Sequence, residues 1–190
     1  MNIREIILKN RSFRRFHQDH PIDYETLVEL IDLARHSASG ANKQPLKFYI
    51  SFKPETNDII FPNLRWAGYL EDWPGPQEGE RPSAYIVIIG DNLISDSFGV
   101  DHGIAAQSIL LGATERGLGG CILGSVQRIK LQRELGLADH YQILLVIALG
   151  KPGEIVVIEP LGLDRDIKYY RDADGIHHVP KRSLDDLLIE

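Results

Sequence analysis

The chain of 190 residues has one cysteine and no excess of cations: 21 basic residues stand against 27 acidic ones, for a formal net charge of -6. A lone thiol, Cys121, excludes an internal disulfide and fits a reducing cytoplasm. The missing positive balance argues against sequence-independent nucleic-acid binding, which needs cations to displace counterions from phosphates. No apolar run approaches the ~20 residues of a membrane span. The opening MNIREIILKN is broken by Arg4 and Glu5, so the expectation there is an amphipathic helix and not a leader. Internal repeats, low-complexity tracts and any recognisable Ser/His/Asp or paired-carboxylate constellation are also lacking. Any anion this acidic chain binds must be held by local chemistry.

With 43% hydrophobic residues, the chain is long enough to bury roughly 70% of its unfolded surface, and one domain spanning 1–190 is expected. Ile3, Ile6 and Ile7 at helical spacing predict a helix over 2–9, and Asp23 caps a second helix that presents Leu27, Leu30, Ile31 and Ala34. LKFYISF (46–52), AYIVIIG (84–90), GGCILG (119–124) and YQILLVIALG (141–150) read as strands or short apolar runs. A long helix is expected over 98–116, stopped by Gly117, and a shorter one to Leu135 capped by Ser125. Residues 63–73 have helical character, 74–82 read as an exposed loop or lid, DADG (172–175) as a tight turn, and 183–189 as a short helix with Ser183 and Asp186 in capping-box spacing. Strands separated by helices suggest a parallel doubly wound sheet, but no phosphate loop follows the first strand.

Three stretches carry candidate chemistry. NRSFRRFHQ (10–18) concentrates Arg11, Arg14 and Arg15 beside Ser12. Guanidinium groups bind phosphate in bidentate fashion, so RSFRR has the parts of a phosphate site; a solvated basic turn paired with carboxylates elsewhere is the other reading. SASGANKQP (37–45) offers the amides of Asn42 and Gln44 to the edge of a heteroaromatic ring, unless they are turn residues only. GLGGCILG (117–124) misses the dinucleotide fingerprint spacing but allows close backbone approach, with the amides of Leu123, Gly124 and Ser125 available. Near the end, Lys181 and Arg182 are a second candidate for holding a phosphate. His177 and His178 face opposite sides of an extended segment, DADG lacks the glutamate of a calcium loop, and no metal site is expected.

Taken in order, these pieces resemble the nitroreductase family of FMN-dependent flavoproteins. Arg11, Ser12, Arg14 and Phe16 match its R-S-x-R-x-F type stretch; Ser39, Asn42, Gln44 and Pro45 match its S-S-x-N-x-Q-P loop; GLGGCILGS and the pair Lys181, Arg182 match two further elements. The resemblance implies an α+β three-layer fold with a mixed, largely antiparallel central sheet flanked by helices, and a homodimer with FMN at the interface. It implies that Arg11, Ser12 and Arg14, with Lys181 or Arg182, hold the phosphate and the pyrimidine edge. Ala38, Ser39, Gly40, Asn42 and Gln44 would address the flavin, the loop 38–42 being offered by the partner subunit, and Leu123 and Gly124 would face N5. Hydride would pass from NADH or NADPH through FMN N5 to a small acceptor such as a nitroaromatic or quinone, with no catalytic side chain required. A flavin-binding or sensing protein without nicotinamide turnover is the alternative. Two positions depart from the pattern: Leu46 stands where many members have Trp, and Gly40 replaces the second serine. Trp66, Tyr69 and Trp73, with the 74–82 loop, either shape an acceptor pocket or pack.

Overall fold

The computed structural model describes residues 1–163 and 165–189. Helix α1 (Ile3–Lys9) is closed at its start by a reciprocal capping box between Asn2 and Glu5, and α2 (Tyr24–Arg35) by the Asp23 carboxylate, which accepts the Thr26 N–H at 2.7 Å. The remaining elements are β1 (Phe16–His17), β2 (Leu46–Ser51), α3 (Pro54–Ile60), β3 (Ala84–Asp91), α4 (Asp101–Glu115), β4 (Gly119–Leu123), α5 (Arg128–Glu134), β5 (Tyr141–Pro152), β6 (Val156–Pro160), β7 (Tyr170–Arg171) and β8 (His177–Lys181).

The main sheet runs β1-β5-β3-β2, with β4 also on β5, and every pair in it is antiparallel. The parallel prior is therefore corrected, and the α+β arrangement holds. All eight residues of β3 are buried because both of its faces are covered. Ala84, Ile86 and Ile88 pack with Leu27 and Leu30 of α2 and Ala106 and Ile109 of α4, whereas Tyr85, Val87 and Ile89 pack with Ile60, Trp66 and Leu131. A second, three-stranded sheet joins β6 parallel and β7 antiparallel to β8.

Several local expectations need correction. Residues 63–73 are not helical: Ala67 takes a positive φ of 40° and two successive turns follow, while Leu64 bridges Val126 and the Arg65 N–H bonds the Ser125 carbonyl. The helix lies upstream instead, in α3, where Pro54 occupies the first turn. The α5 helix starts after Gln127, so Ser125 does not cap it, and α4 is shorter than the 98–116 span expected. Residues 183–189 form turns: Ser183 Oγ accepts the Asp186 N–H at 3.2 Å, but the Asp186 carboxylate pairs with Arg165 and leaves the box half made.

The 74–82 segment is strapped down and not a free lid. Glu80 and Gly79 carbonyls accept the N–H groups of Phe16 and Gln18, Gln18 Oε1 accepts the N–H groups of Gly79 and Arg81, and Gly75 and Pro76 are buried. Of the glycines of GLGG, Gly117 takes a positive φ of 72° just past the end of α4, and Gly119 and Gly120 serve packing. A Cβ at Gly119 would stand 2.5 Å from the Phe13 ring, and one at Gly120 would stand 2.4 Å from the Ala148 carbonyl oxygen.

Candidate functional site

The arginine-rich stretch is neither a helix nor a solvated turn. Phe13 donates its N–H to the Gly120 carbonyl at 3.0 Å, and the Gly153 N–H bonds the Arg15 carbonyl at 2.9 Å, which pins the loop to β4 and to the end of β5. Between these points Glu154 accepts the backbone N–H groups of both Arg14 and Arg15 on one carboxylate oxygen. Its other oxygen pairs with Arg171 at 2.8 Å, and the Glu154 side chain is only 2% exposed. A buried carboxylate with this many charge-assisted partners sets the loop's shape.

That shape separates the three arginines. Arg15 leaves for the far side, where its Nε lies 3.4 Å from Glu80 and its guanidinium stands 5.9 Å from the Trp73 ring. Arg11 and Arg14 turn into a cleft of ≈ 370 Å³ lined with them by Ser12, Ile122, Tyr169, His177 and Lys181. Arg11 donates through Nη2 to the Ile7 carbonyl at 2.8 Å, near the C-terminal end of α1, and burial lowers its pKa from the ordinary value. Arg14 is buried, donates through Nη1 to the Ser12 carbonyl at 3.2 Å, and lies 4.6 Å over the Tyr169 ring. The Nε atoms of Arg11 and Arg14 are buried donors with no hydrogen-bond partner among the described residues. Such donors cost about 1–3 kcal/mol each when left unmet, but the Nε atoms of Arg15, Arg81 and Arg171 are likewise buried without a hydrogen-bond partner among the described residues. It is the gathering of Arg11, Ser12, Arg14 and Lys181 around the cleft that suits it to an acceptor-rich ligand.

The tail supplies the cleft's other wall. His177 is fully buried and its Nε2 lies 3.0 Å from Arg14 Nη1; since guanidinium only donates, the imidazole accepts there. Desolvation first, and then Arg14, push the His177 pKa down to about 4, so the ring is neutral. His178 points the other way, between Glu159 at 2.9 Å and Asp172 at 3.0 Å, and hydrogen bonds to Asp172 and Glu159 raise its pKa. The opposite facing expected for the pair is present, and among the described residues no group of three or more His, Cys, Asp or Glu could hold a metal.

A second set of candidates collects elsewhere. Ala38, Ser39 and Gln44 line a depression with Asp101 and Leu46, and Gly40 lines the neighbouring one with Lys43 and Phe98. Asp101, buried at the start of α4, accepts the Ser39 hydroxyl at 2.6 Å and the Gly40 N–H at 2.9 Å. Ala41, Asn42 and Gln44 all take positive φ, 49°, 55° and 52°, conformations that L residues hold only under constraint. Asn42 and Gln44 remain exposed, and among the described residues their one side-chain hydrogen bond runs from Gln44 Nε2 to the Asn42 carbonyl at 3.2 Å. Neither depression shares a lining residue with the arginine cleft.

Leu123 and Gly124 lie outside the cleft lining. Strand alternation buries the Leu123 side chain in the core and turns Ile122 to the cleft, and the Gly124 carbonyl accepts from Arg128 at 2.8 Å. Of the basic pair, Lys181 lines both the cleft and an adjoining depression, while Arg182 lines that depression, with Arg165 and Asp186, and not the cleft. Cys121 is buried and its thiol pKa is raised by that burial, which fits packing. Trp66 packs in the core beneath Gly75, Trp73 stands 4.7 Å from the Arg171 guanidinium, and Tyr69 meets Tyr169 in a tilted pair with ring centroids 4.9 Å apart. Glu154 and Tyr169 were not singled out from sequence, and His177 was weighed there only as a metal ligand. Only His177 left a signal there, the inward phase of an alternating segment.

Comparison with known proteins bears on what this cleft serves. A relative from Bacillus subtilis, YodC, whose name assigns it provisionally to the NAD(P)H nitroreductases, is 20% identical over 79% of this chain and 89% of its own. A nitroreductase family protein from Streptococcus pneumoniae superposes with a TM-score of 0.71 at 18% identity, with 100% of both chains covered. An FMN-dependent nitroreductase from Clostridium difficile superposes with a TM-score of 0.65 at 23% identity, over 89% of this chain and 92% of that one. The profile of the nitroreductase family matches residues 7–71 and 80–151. Matched over most of its length, the chain belongs to the nitroreductase family.

Proposed function

We propose that the cleft of Arg11, Ser12, Arg14 and Lys181 binds FMN, and that the chain is a single-domain, cytoplasmic, FMN-dependent oxidoreductase using NADH or NADPH. The observation that carries this reading is the convergence of these four residues on one cleft, two guanidinium groups, an ammonium and a hydroxyl. Arg11, Ser12 and Lys181 offer cationic and hydroxyl donors to a phosphate, and Arg14, held over Tyr169, offers its donors to the pyrimidine edge. FMN, when bound, supplies hydride uptake from reduced nicotinamide and hydride delivery to a small acceptor such as a nitroaromatic or quinone. The protein's part is to bind, orient and exclude water.

The separation of the 38–44 loop from this cleft supports a homodimer in which Ala38, Ser39, Gly40, Asn42 and Gln44 of one protomer complete the site of its partner. Exposed amides on a constrained loop are then available to a ligand outside their own chain. Titration with FMN tests the reading: purified protein is expected to be yellow or to quench flavin fluorescence, and Arg11→Ala to weaken binding by about 1–3 kcal/mol. Protein that neither carries nor takes up FMN would overturn it. Anaerobic bleaching of the flavin by NADH or NADPH is expected, and failure with both removes nicotinamide from the proposal.

A further inference from the structure

We propose that His177 is a positioning residue of the flavin site: its Nε2 accepts from Arg14 and thereby holds the guanidinium in the cleft. This rests on the FMN reading above and names a residue beyond the stretch that the family profile matches, which ends at residue 151.

The Arg14 guanidinium is held from two directions. Arg14 Nη1 reaches both the Ser12 carbonyl at 3.2 Å and His177 Nε2 at 3.0 Å, so one contact is local and the other comes from the distant strand β8. Tyr169 lies 4.6 Å from the Arg14 guanidinium and 5.2 Å from the His177 ring, and so restrains both partners of that bond. The charged groups acting on His177 are Arg14, Glu154, Arg171 and the neighbouring His178, of which Glu154 alone is anionic. Burial with a cation in contact keeps the ring neutral, and a neutral ring is the form able to accept. The proton must then sit on Nδ1, which has no hydrogen-bond partner among the described residues. No second hydrogen bond fixes the ring's tautomer, so the tautomer itself reports on Arg14.

Two measurements test this, one of them independent of flavin. In long-range ¹H–¹⁵N NMR spectra at neutral pH, His177 is expected as the neutral Nδ1–H tautomer in the wild type and to shift toward the Nε2–H form in Arg14→Ala. A wild-type His177 that is protonated or in the Nε2–H tautomer overturns the proposal, whether or not the protein binds FMN. The second measurement is FMN affinity. His177→Phe, which fills the site but cannot accept, is expected to weaken FMN binding by about tenfold, the scale of one charge-assisted hydrogen bond. His177→Gln, whose amide oxygen can accept, is expected to stay within about threefold of wild type, an outcome that a role in packing alone does not predict. The double variant Arg14→Ala/His177→Phe is expected to bind no worse than Arg14→Ala. Equal losses for Phe and Gln, an unchanged Phe variant, or additive losses in the double variant would each overturn the assignment. If the wild type binds no FMN, the functional reading fails, and the tautomer measurement still decides the fate of His177.

Discussion

Two loops of this molecule are shaped in the same way and left in different states. The loop from Arg11 to Arg15 and the loop from Ser39 to Gln44 are each organised by one buried carboxylate: Glu154 accepts two backbone N–H groups in the first, and Asp101 accepts one backbone N–H and the Ser39 hydroxyl in the second. In the first, the anchor comes from more than a hundred residues away, is paired with Arg171, and aims two guanidinium groups into a cleft of the same chain. In the second, the anchor holds residues in left-handed conformations and their amides face outward. The contrast teaches that the same device, a buried carboxylate, turns the side chains of one loop into a cleft of its own chain and holds those of the other outward.

The largest way to break the comparison is to remove the stronger anchor. Glu154→Ala leaves Arg171 and the two backbone N–H groups unpaired in a buried setting and is expected to lower stability by about 3–5 kcal/mol, read by chemical denaturation, with flavin binding lost alongside. Asp101→Asn keeps one acceptor for the Gly40 N–H or the Ser39 hydroxyl but not equally for both, and should cost about 1–2 kcal/mol in the same experiment. If the two variants cost the same, the two loops are not anchored differently. Ala41→Gly tests the constraint itself: glycine accepts φ 49° without strain, and a gain of about 0.5–1 kcal/mol is expected in thermal or chemical unfolding.

The smallest expected effect concerns the wall behind the first loop. His178 has a folded pKa raised above 6.5 by Asp172 and Glu159, so its contribution to stability is fully present below 6.5 and is lost as pH rises through the folded value. The difference in Tm between wild type and His178→Gln should therefore be open near about pH 6 and close toward about pH 9. A gap that widens with pH would contradict the clamp.

Much of the fold was legible because local chemistry and periodicity point the same way in α1, α2, β2, β3, α4 and β5. Where they diverged, tertiary contacts won. The helical character of 63–73 yields to the left-handed Ala67 and to the bridge with Val126, and the 183–189 box yields to the ion pair of Asp186 with Arg165. The uniform burial of β3 reads like a parallel strand, yet the sheet is antiparallel, since cover on both faces and not strand direction dictates that pattern. At the site, Arg11, Ser12, Arg14 and Lys181 were visible as residue types, and the cleft brings them together. The divergence of Arg15 and Arg182 was not visible, because it depends on where Glu80, Trp73 and Arg165 fall in three dimensions. Glu154 was hidden for the same reason: a single glutamate after Lys151-Pro152-Gly153 shows nothing locally of the two backbone donors it collects.

The placement of the two tryptophans gives the chain an optical readout of this arrangement. Trp66 is sealed in the apolar core, a setting that favours short-wavelength emission and insulates the indole from events at the surface. Trp73 lies within reach of the guanidinium groups of both Arg15 and Arg171, the two cations tied to Glu154 through a backbone N–H and an ion pair. A change in how tightly the arginine loop is held is therefore written first into the emission of Trp73, while Trp66 serves as the internal reference until the core itself opens.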